Sequence, residues 1–137
     1  MYPEFTYDLL IREGHLDTFG HVNNAVYLAL FEEARWDLIT RNGYGLQKVV
    51  ETGLGPTIVE IQISFLRELH LRTPIQIHTQ LLEYPSRVGI LRQWMTNPAG
   101  DICCDMKMKF GLFDTKARKL VPATPEWLRA LGAGEKV

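Results

Sequence analysis

The sequence predicts an α+β fold in which an antiparallel sheet curls around one long buried helix. One stretch has the apolar spacing of a helix, and four consecutive segments after it alternate apolar with polar residues. Short segments rich in turn-forming residues separate these four. Such alternation is typical of antiparallel strands with one face on a core. Because a single helix is only about 10 Å across, the sheet must curl to enclose it.

Length and composition indicate one globular domain over residues 1–137. The chain has 46% hydrophobic and 23% charged residues, close to the globular average, and can bury a core without disulfide or metal staples. Its formal net charge of −1 excludes a general attraction to nucleic acid or to an anionic membrane. No apolar run approaches the roughly 20 residues of a membrane span, and no secretory leader pattern is visible. We therefore expect a cytoplasmic protein.

The first predicted elements are a strand and the long helix. Residues 2–11 are rich in aromatic and aliphatic side chains and predict a strand. A turn-rich segment follows, and then Asn23 and Asn24, either of which can cap a helix with its side chain. The helix is expected over residues 25–39, and two glycines shortly after it mark its end. Its apolar positions form a wide face, which predicts substantial burial: Ala25, Leu28, Ala29, Phe31, Leu38 and Ile39.

Four strands and a short helix are expected in the rest of the chain. The alternating segments are residues 57–65, 75–81, 88–96 and 102–110. Thr124 and Pro125 have the residue types of a helix cap and a first helical position, so a short helix should run from there through Leu131.

The sheet face away from the helix is expected to carry several apolar residues, namely Leu66, Leu82, Leu91 and Met95. That is more apolar surface than water favours. We therefore expect a second copy of the chain to cover this face or a sheet edge. The assembly would be a dimer, or a dimer of dimers that makes a homotetramer.

Cysteine, histidine and glycine patterns argue against a metal or a cofactor. Cys103 and Cys104 are adjacent, so in a strand they point to opposite faces and are poorly placed to bond to each other. The four histidines show no zinc-binding spacing. No glycine-rich phosphate loop of the P-loop or dinucleotide-binding type is present.

One segment carries a long motif. Residues 15–28 are HLDTFGHVNNAVYL, and residues 31–37 are FEEARWD. This pattern resembles the hotdog-fold acyl-CoA thioesterases of the 4-hydroxybenzoyl-CoA thioesterase type, and it is most similar to their bacterial long-chain acyl-CoA members. Element order and length fit that family over nearly the whole chain. The resemblance implies a hotdog fold and hydrolysis of a medium- or long-chain fatty acyl-CoA to the free acid and coenzyme A.

The resemblance also implies two catalytic groups. Asp17 would be the general base or nucleophile, and the backbone N–H near Asn24 would polarise the thioester carbonyl. Thioester hydrolysis needs both kinds of group, and a helix N-terminus offers unpaired N–H groups with a positive dipole end. Taken without the motif, Asp17 would be interpreted as a turn or cap carboxylate. Direct attack through an anhydride and deprotonation of water are both open.

The remaining site candidates each have a structural alternative. His21 would orient the substrate or Asp17, or hydrogen-bond backbone at a subunit contact. Asn23 would contact substrate, or pin the turn through its amide. Tyr27 and Phe65 would line the acyl or pantetheine channel, or pack in the core.

Arginines at strand ends and turns are candidates for the coenzyme A phosphates. Arg87 follows a turn and matches a basic residue of the long-chain subgroup. The other three are Arg67, Arg72 and Arg92. Solvated surface arginines are the alternative.

Two further functions and one further base stay open at this point. Glu32 or Glu33 on the helix could supply the principal carboxylate, although paired or solvated helix carboxylates are common. The fold could also serve as a non-catalytic acyl-CoA or acyl-carrier binding module, or as a hydratase or dehydratase.

Overall fold

The computed structural model describes residues 1–134, which form a six-stranded antiparallel sheet and three α-helices. The strands are β1 (Glu4–Leu10), β2 (Leu54–Phe65), β3 (Pro74–Glu83), β4 (Gly89–Thr96), β5 (Ile102–Asp114) and β6 (Lys119–Val121). The helices are α1 (Asn24–Arg41), α2 (Leu46–Thr52) and α3 (Pro125–Ala130). The sheet order is β1-β3-β4-β5-β2, and β6 pairs with the end of β5. The predicted α+β architecture is confirmed.

Helix α1 packs lengthwise on the sheet. Asn23 caps it, and its buried residues are Tyr27, Leu30, Phe31, Ala34, Leu38 and Ile39. The predicted helix is confirmed, but the predicted apolar face was partly wrong. Ala25, Leu28 and Ala29 are exposed, because the buried stripe in the first half of the helix runs through Tyr27, Leu30 and Ala34 instead. Phe31, Leu38 and Ile39 are buried as predicted.

The inward face of the sheet forms the core with α1. Alternate residues of β5 from Cys104 to Leu112 are buried, as the alternation predicted. Leu91 and Met95, however, are 2% and 0% exposed and belong to this core. Their expected position on the outer face was wrong, since the odd-numbered residues of β4 point toward α1.

Strand β2 forms one edge of the sheet. It pairs with β5 on one side, and within the described residues no strand pairs with its other side. Ile58, Val59 and Phe65 are about half exposed on it. The pairing register shifts between Ile58 and Glu60, so Val59 stands at a bulge. Bulges often interrupt an edge strand and so limit its backbone pairing with other chains.

Three short elements were not predicted, and one of them is a 3₁₀ turn at Glu13–His15 before α1. Helix α2 has no side-chain cap and no buried residue, so it lacks an amphipathic pattern to detect. Gly53, with φ 71° in the left-handed region, ends it. Strand β6 has three residues, too few for alternation to be visible. Helix α3 is capped by Thr124 with Pro at its start, as predicted.

The two cysteines are free and buried. Their free state agrees with the expectation that adjacent strand residues do not bond to each other. Among residues 1–134, the helices fall short of the length and apolar character that crossing a membrane requires.

Gly111 on β5 is a position where we predict that a single methyl group destabilises the fold. A Cβ there would lie 2.5 Å from the Arg87 carbonyl oxygen and 2.7 Å from Leu120 Cδ2. Gly111→Ala should lower the free energy of unfolding in urea by about 1–3 kcal/mol, the usual range for overpacking. Gly14→Ala is the matched control, because a Cβ there meets no atom within 4 Å. Equal urea midpoints for the two variants would contradict the packing described above.

Candidate active site

The segment before α1 folds into a tight loop around Asp17. The Asp17 N–H donates to the His21 carbonyl at 2.8 Å, and the Gly20 N–H donates to the Asp17 carbonyl at 3.1 Å. The Asp17 carboxylate oxygen Oδ1 accepts from the Phe19 N–H at 2.9 Å and from the His21 N–H at 3.2 Å. Asp17 thus caps its own loop through one oxygen, and within the described residues Oδ2 accepts no hydrogen bond. The side chain is exposed.

The first turn of α1 leaves one backbone donor free. The Asn23 side-chain oxygen accepts from the Ala25 N–H at 2.9 Å, and the Asn23 carbonyl accepts from the Val26 N–H at 2.9 Å. Within residues 1–134 the Asn24 N–H has no acceptor. A free N–H at the positive end of a helix dipole is a ready donor for a carbonyl oxygen that gains negative charge.

A cavity of about 280 Å³ opens beside this helix tip. His21, Asn24, Tyr27 and Phe65 all line it, so the structure brings together four of the predicted site residues. The Tyr27 and Phe65 rings meet edge to face with centroids 5.1 Å apart. Tyr27 is 5% exposed, and burial raises the pKa of its phenol. Tyr27 is therefore at once a core residue and a wall of the cavity.

His21 pairs with an acidic residue, Glu68, that no sequence motif had indicated. Its Nε2 lies 3.3 Å from Glu68 Oε1, and Glu68 lines the same cavity. Both side chains are more than half exposed, so the pair adds little to stability. The pair does place a histidine and a carboxylate next to each other at the helix-tip cavity. Glu68 could have been found only from its nearness in space, since it follows β2 in a polar turn far along the chain.

The predicted phosphate-binding arginines are spread over the molecule. Arg87 lies just before Gly89, which pairs with Phe110, whereas Phe65 at the helix-tip cavity pairs with Cys104. Six residues of strand separate those positions on β5, roughly 20 Å at about 3.4 Å a residue. Arg87 therefore lies at the opposite end of the sheet from this chain's own helix tip.

One of the other arginines does line the helix-tip cavity, and this is Arg67. Arg72 pairs with Glu13, and Arg92 pairs with Asp105. Those two guanidinium groups already have carboxylate partners. Arg67 is the candidate that the structure places nearest to the site.

The two helix glutamates lie elsewhere. Glu33 accepts a 2.6 Å hydrogen bond from the Tyr7 hydroxyl, which raises the pKa of Tyr7 to about 12. Glu32 lines a different cavity, near the middle of α1. Neither lines the helix-tip cavity, and Asp17 is not among its lining residues either. Asp17 nevertheless lies in the loop that leads into the start of α1, whereas Glu32 and Glu33 lie more than two turns further along the helix. The position along α1 therefore favours Asp17 over a helix carboxylate as the principal base.

An antiparallel sheet curved on one long helix, with a donor-bearing helix tip at an open cavity, defines the hotdog class of proteins. The family model of the Thioesterase-like superfamily matches residues 11–131. The chain belongs to this superfamily, which confirms the resemblance read from the motif.

Individual relatives agree with this assignment. The chain is 36% identical over 110 residues to the long-chain acyl-CoA thioesterase FadM of Escherichia coli strain K12, covering 80% of this chain and 83% of that protein. It is 31% identical to the probable thioesterase YbaW from Escherichia coli. The crystal structure of that protein matches this chain with a TM-score of 0.81, and the match covers 96% of this chain and 98% of the YbaW chain. An oleoyl thioesterase (putative) from Lactobacillus plantarum shares the fold at 15% identity and a TM-score of 0.89. That likeness covers 95% of this chain, which spans about half (51%) of the Lactobacillus chain.

The Asn23 cap gives a direct test of how the helix tip is built. Asn23→Ala removes the oxygen that accepts from the Ala25 N–H, so it should lower the free energy of unfolding by about 1 kcal/mol. Asn23→Asp keeps an acceptor in the same place and should retain nearly full stability. Urea unfolding of both variants checks this. If the two variants were equally destabilised, the cap would not be what holds this turn.

Proposed function

We propose that the chain hydrolyses a medium- or long-chain fatty acyl-CoA to the free acid and coenzyme A, at the tip of α1. Thioester hydrolysis is the activity of the family in which the motif and the sequence comparisons place the chain. The observation that carries the proposal is the unpaired Asn24 N–H, which lies beside a cavity walled by aromatic side chains. An acyl thioester placed there would have its carbonyl oxygen at a preorganised donor.

Asp17 is the proposed base or nucleophile. Its loop ends where α1 begins, and two backbone N–H groups hold Oδ1 while Oδ2 stays free for water or for the thioester carbon. The loop-capping role and the catalytic role are compatible, since they use different oxygens of the same carboxylate. Holding one oxygen also limits the rotation of the group, which favours a fixed line of attack.

The Asn24 N–H is the proposed carbonyl polariser. Charge builds on the carbonyl oxygen as the thioester is attacked, and one well-placed donor contributes roughly 3–4 kcal/mol to such transition states. A backbone donor needs no reorganisation during the reaction, because α1 is fixed by its packing on the sheet. The side chain of residue 24 is not required for this role.

The other candidates serve binding in this proposal. Tyr27 and Phe65 face the acyl or pantetheine part, and His21 orients Asp17 through the loop they share. Arg67 supports the phosphate end from the same side of the cavity. Asn23 acts on the substrate indirectly, through the turn that it caps.

A second copy of the chain is part of the proposal. Edge strand β2 presents exposed apolar residues, and Arg87 can approach a helix-tip cavity only if that cavity belongs to another copy. Pairing of two β2 edges would bury the apolar residues and satisfy the edge backbone groups. A dimer is the minimal assembly, and a dimer of dimers is the larger form. We also propose a cytoplasmic location, which suits two free cysteines.

We expect Asp17→Asn to lower kcat at least about 100-fold with little change in KM. The amide oxygen can still accept from the Phe19 and His21 N–H groups, so the loop should stay intact while the carboxylate chemistry is lost. Thiol release from a panel of short, long and aromatic acyl-CoAs is the measurement. Asp8→Asn, an exposed position on β1, is the matched control and should leave the rate unchanged.

Near-normal turnover of Asp17→Asn would reject Asp17 as the catalytic group. Tight binding of acyl-CoA without thiol release by the unmodified protein would favour a binding module. Proton NMR of an enoyl-CoA reaction covers the remaining alternative, because hydration at the His21–Glu68 pair would leave the thioester intact.

The edge-pairing proposal predicts that Val59→Lys disrupts the assembly. A charge at the centre of β2 would have to be buried between the two edges. Light scattering should show at least a dimer for the unmodified chain and a shift toward monomer for this variant. Val50→Lys on α2 replaces an equally apolar and even more exposed residue away from this edge, and should leave the mass unchanged. A fully active monomeric chain would refute the proposal.

A further inference from the structure

A buried polar cluster crosses the core beside the middle of α1. Gln93 on β4 is fully buried, and its side-chain nitrogen donates to the Phe31 carbonyl at 3.1 Å and to Thr79 Oγ1 at 3.0 Å. Its side-chain oxygen accepts from Arg35 Nη1 at 2.8 Å. Gln93 is therefore fixed by three contacts, and it in turn holds the Arg35 guanidinium against the core.

Within the part of the chain that the structure describes, the charge of Arg35 lies outside any ion pair with a carboxylate. Among residues 1–134 no acidic side chain comes within the 4 Å of an ion pair with it, and burial lowers the pKa of Arg35 to about 10. A desolvated cation without a counter-charge is costly and is uncommon in protein interiors. Glu32, one turn earlier on α1, raises the pKa of Arg35 less than burial lowers it.

The unpaired N–H groups of Arg35 retain access to open space. Within the described residues, His78 Nδ1 is the only fully buried side-chain nitrogen or oxygen without a hydrogen-bond partner. The guanidinium nitrogens of Arg35 that make no hydrogen bond within residues 1–134 are therefore not fully buried. They have donor capacity that a ligand can use.

Arg35 lines a cavity of about 250 Å³ between α1 and the sheet. Most of its wall is apolar and includes Ile39, Leu91, Met108 and Phe110. Two polar groups of the cluster, Arg35 and Thr79, face it, and Glu32 is the one acidic residue among those that line it. An apolar chamber with a single cation on its wall is complementary to a molecule with an apolar body and an anionic head.

We propose that this cavity binds the free carboxylate of a short- or medium-chain apolar acid, with its head group on Arg35 and its chain against the apolar wall. A carboxylate accepts two parallel N–H bonds from a guanidinium, a geometry that no neutral head group reproduces. The volume lies below the roughly 300 Å³ at which pockets for drug-sized ligands begin. This limits the length of the chain and excludes coenzyme A.

The acid site is separate from the helix-tip cavity. Asn24 and Arg35 are eleven positions apart on one helix, about 16 Å at 1.5 Å a residue. The two cavities share no lining residue. Binding of an acid here does not depend on hydrolysis, so it stands or falls independently of the proposed function. Such an acid nevertheless has the chemistry of a thioester hydrolysis product.

Octanoate is the probe, and 1-octanol is the matched ligand without charge. Calorimetric titration should show octanoate binding at least about tenfold more tightly than 1-octanol. Trp36 and Trp127 line the cavity, so tryptophan fluorescence should change on binding. Arg35→Gln should weaken octanoate binding at least about tenfold, because it removes the charge. Arg41→Gln, on the same helix but exposed and already paired with Asp37, should leave the affinity unchanged.

A second variant keeps the test decisive if Arg35→Gln does not fold. Ile58→Trp starts from a half-exposed wall residue on β2 and should block octanoate while Arg35 is retained. Phe65→Trp fills the helix-tip cavity instead and should leave octanoate binding intact, as should Asp17→Asn. The proposal is overturned if octanoate does not bind, if 1-octanol binds equally well, or if Phe65→Trp abolishes binding while Ile58→Trp does not.

Discussion

The unsatisfied backbone donor at the start of α1 is the constraint around which the rest of the molecule is arranged. Every helix begins with N–H groups that lack intrahelical partners, and here the Asn23 cap and carbonyl satisfy all but that of Asn24. In the proposed mechanism, this donor can polarise a carbonyl only if the helix does not shift or fray. The sheet provides this, because one face of α1 is buried, with contacts to β1 and β3 and a hydrogen bond from Gln93 on β4 to the Phe31 carbonyl.

The buried polar groups of the core, Gln93, Thr79 and Arg35, also help to hold α1 in place on the sheet. Close apolar packing already resists a shift of α1 along the sheet, and Gln93 adds direction-specific contacts from β4 to the Phe31 carbonyl and to Arg35. Hydrogen bonds in a low-dielectric interior are costly to break. They therefore favour one position of the helix and, with it, one position of the donor at its tip. The Arg35 guanidinium, which Gln93 holds in place, keeps further N–H donors on the wall of the cavity between α1 and the sheet.

In the loop before α1, the Asp17 carboxylate has a structural contact and a proposed chemical role at the same time. One oxygen of Asp17 builds the loop and the other is left free, so the carboxylate that would act on the substrate also fixes its own position. His21 contributes its backbone to Asp17 and its ring to Glu68. The proposed site thus needs few residues, and most of them lie in the short segment between β1 and α1 or in the first turns of α1.

Sequence by itself determined the helix, the four longer strands after it and the family, because apolar periodicity and a contiguous motif are local properties. Asp17, His21, Asn23, Asn24 and Tyr27 lie within eleven consecutive positions, which is why they could be identified together. Tertiary structure alone decided which helix stripe is buried, that Leu91 and Met95 face inward, and that Arg87 and Phe65 lie at opposite ends of the sheet. It also joined Arg35 to Gln93 and His21 to Glu68, pairs far apart along the chain. Such contacts depend on strand register and helix rotation, which are fixed only when the whole core packs at once.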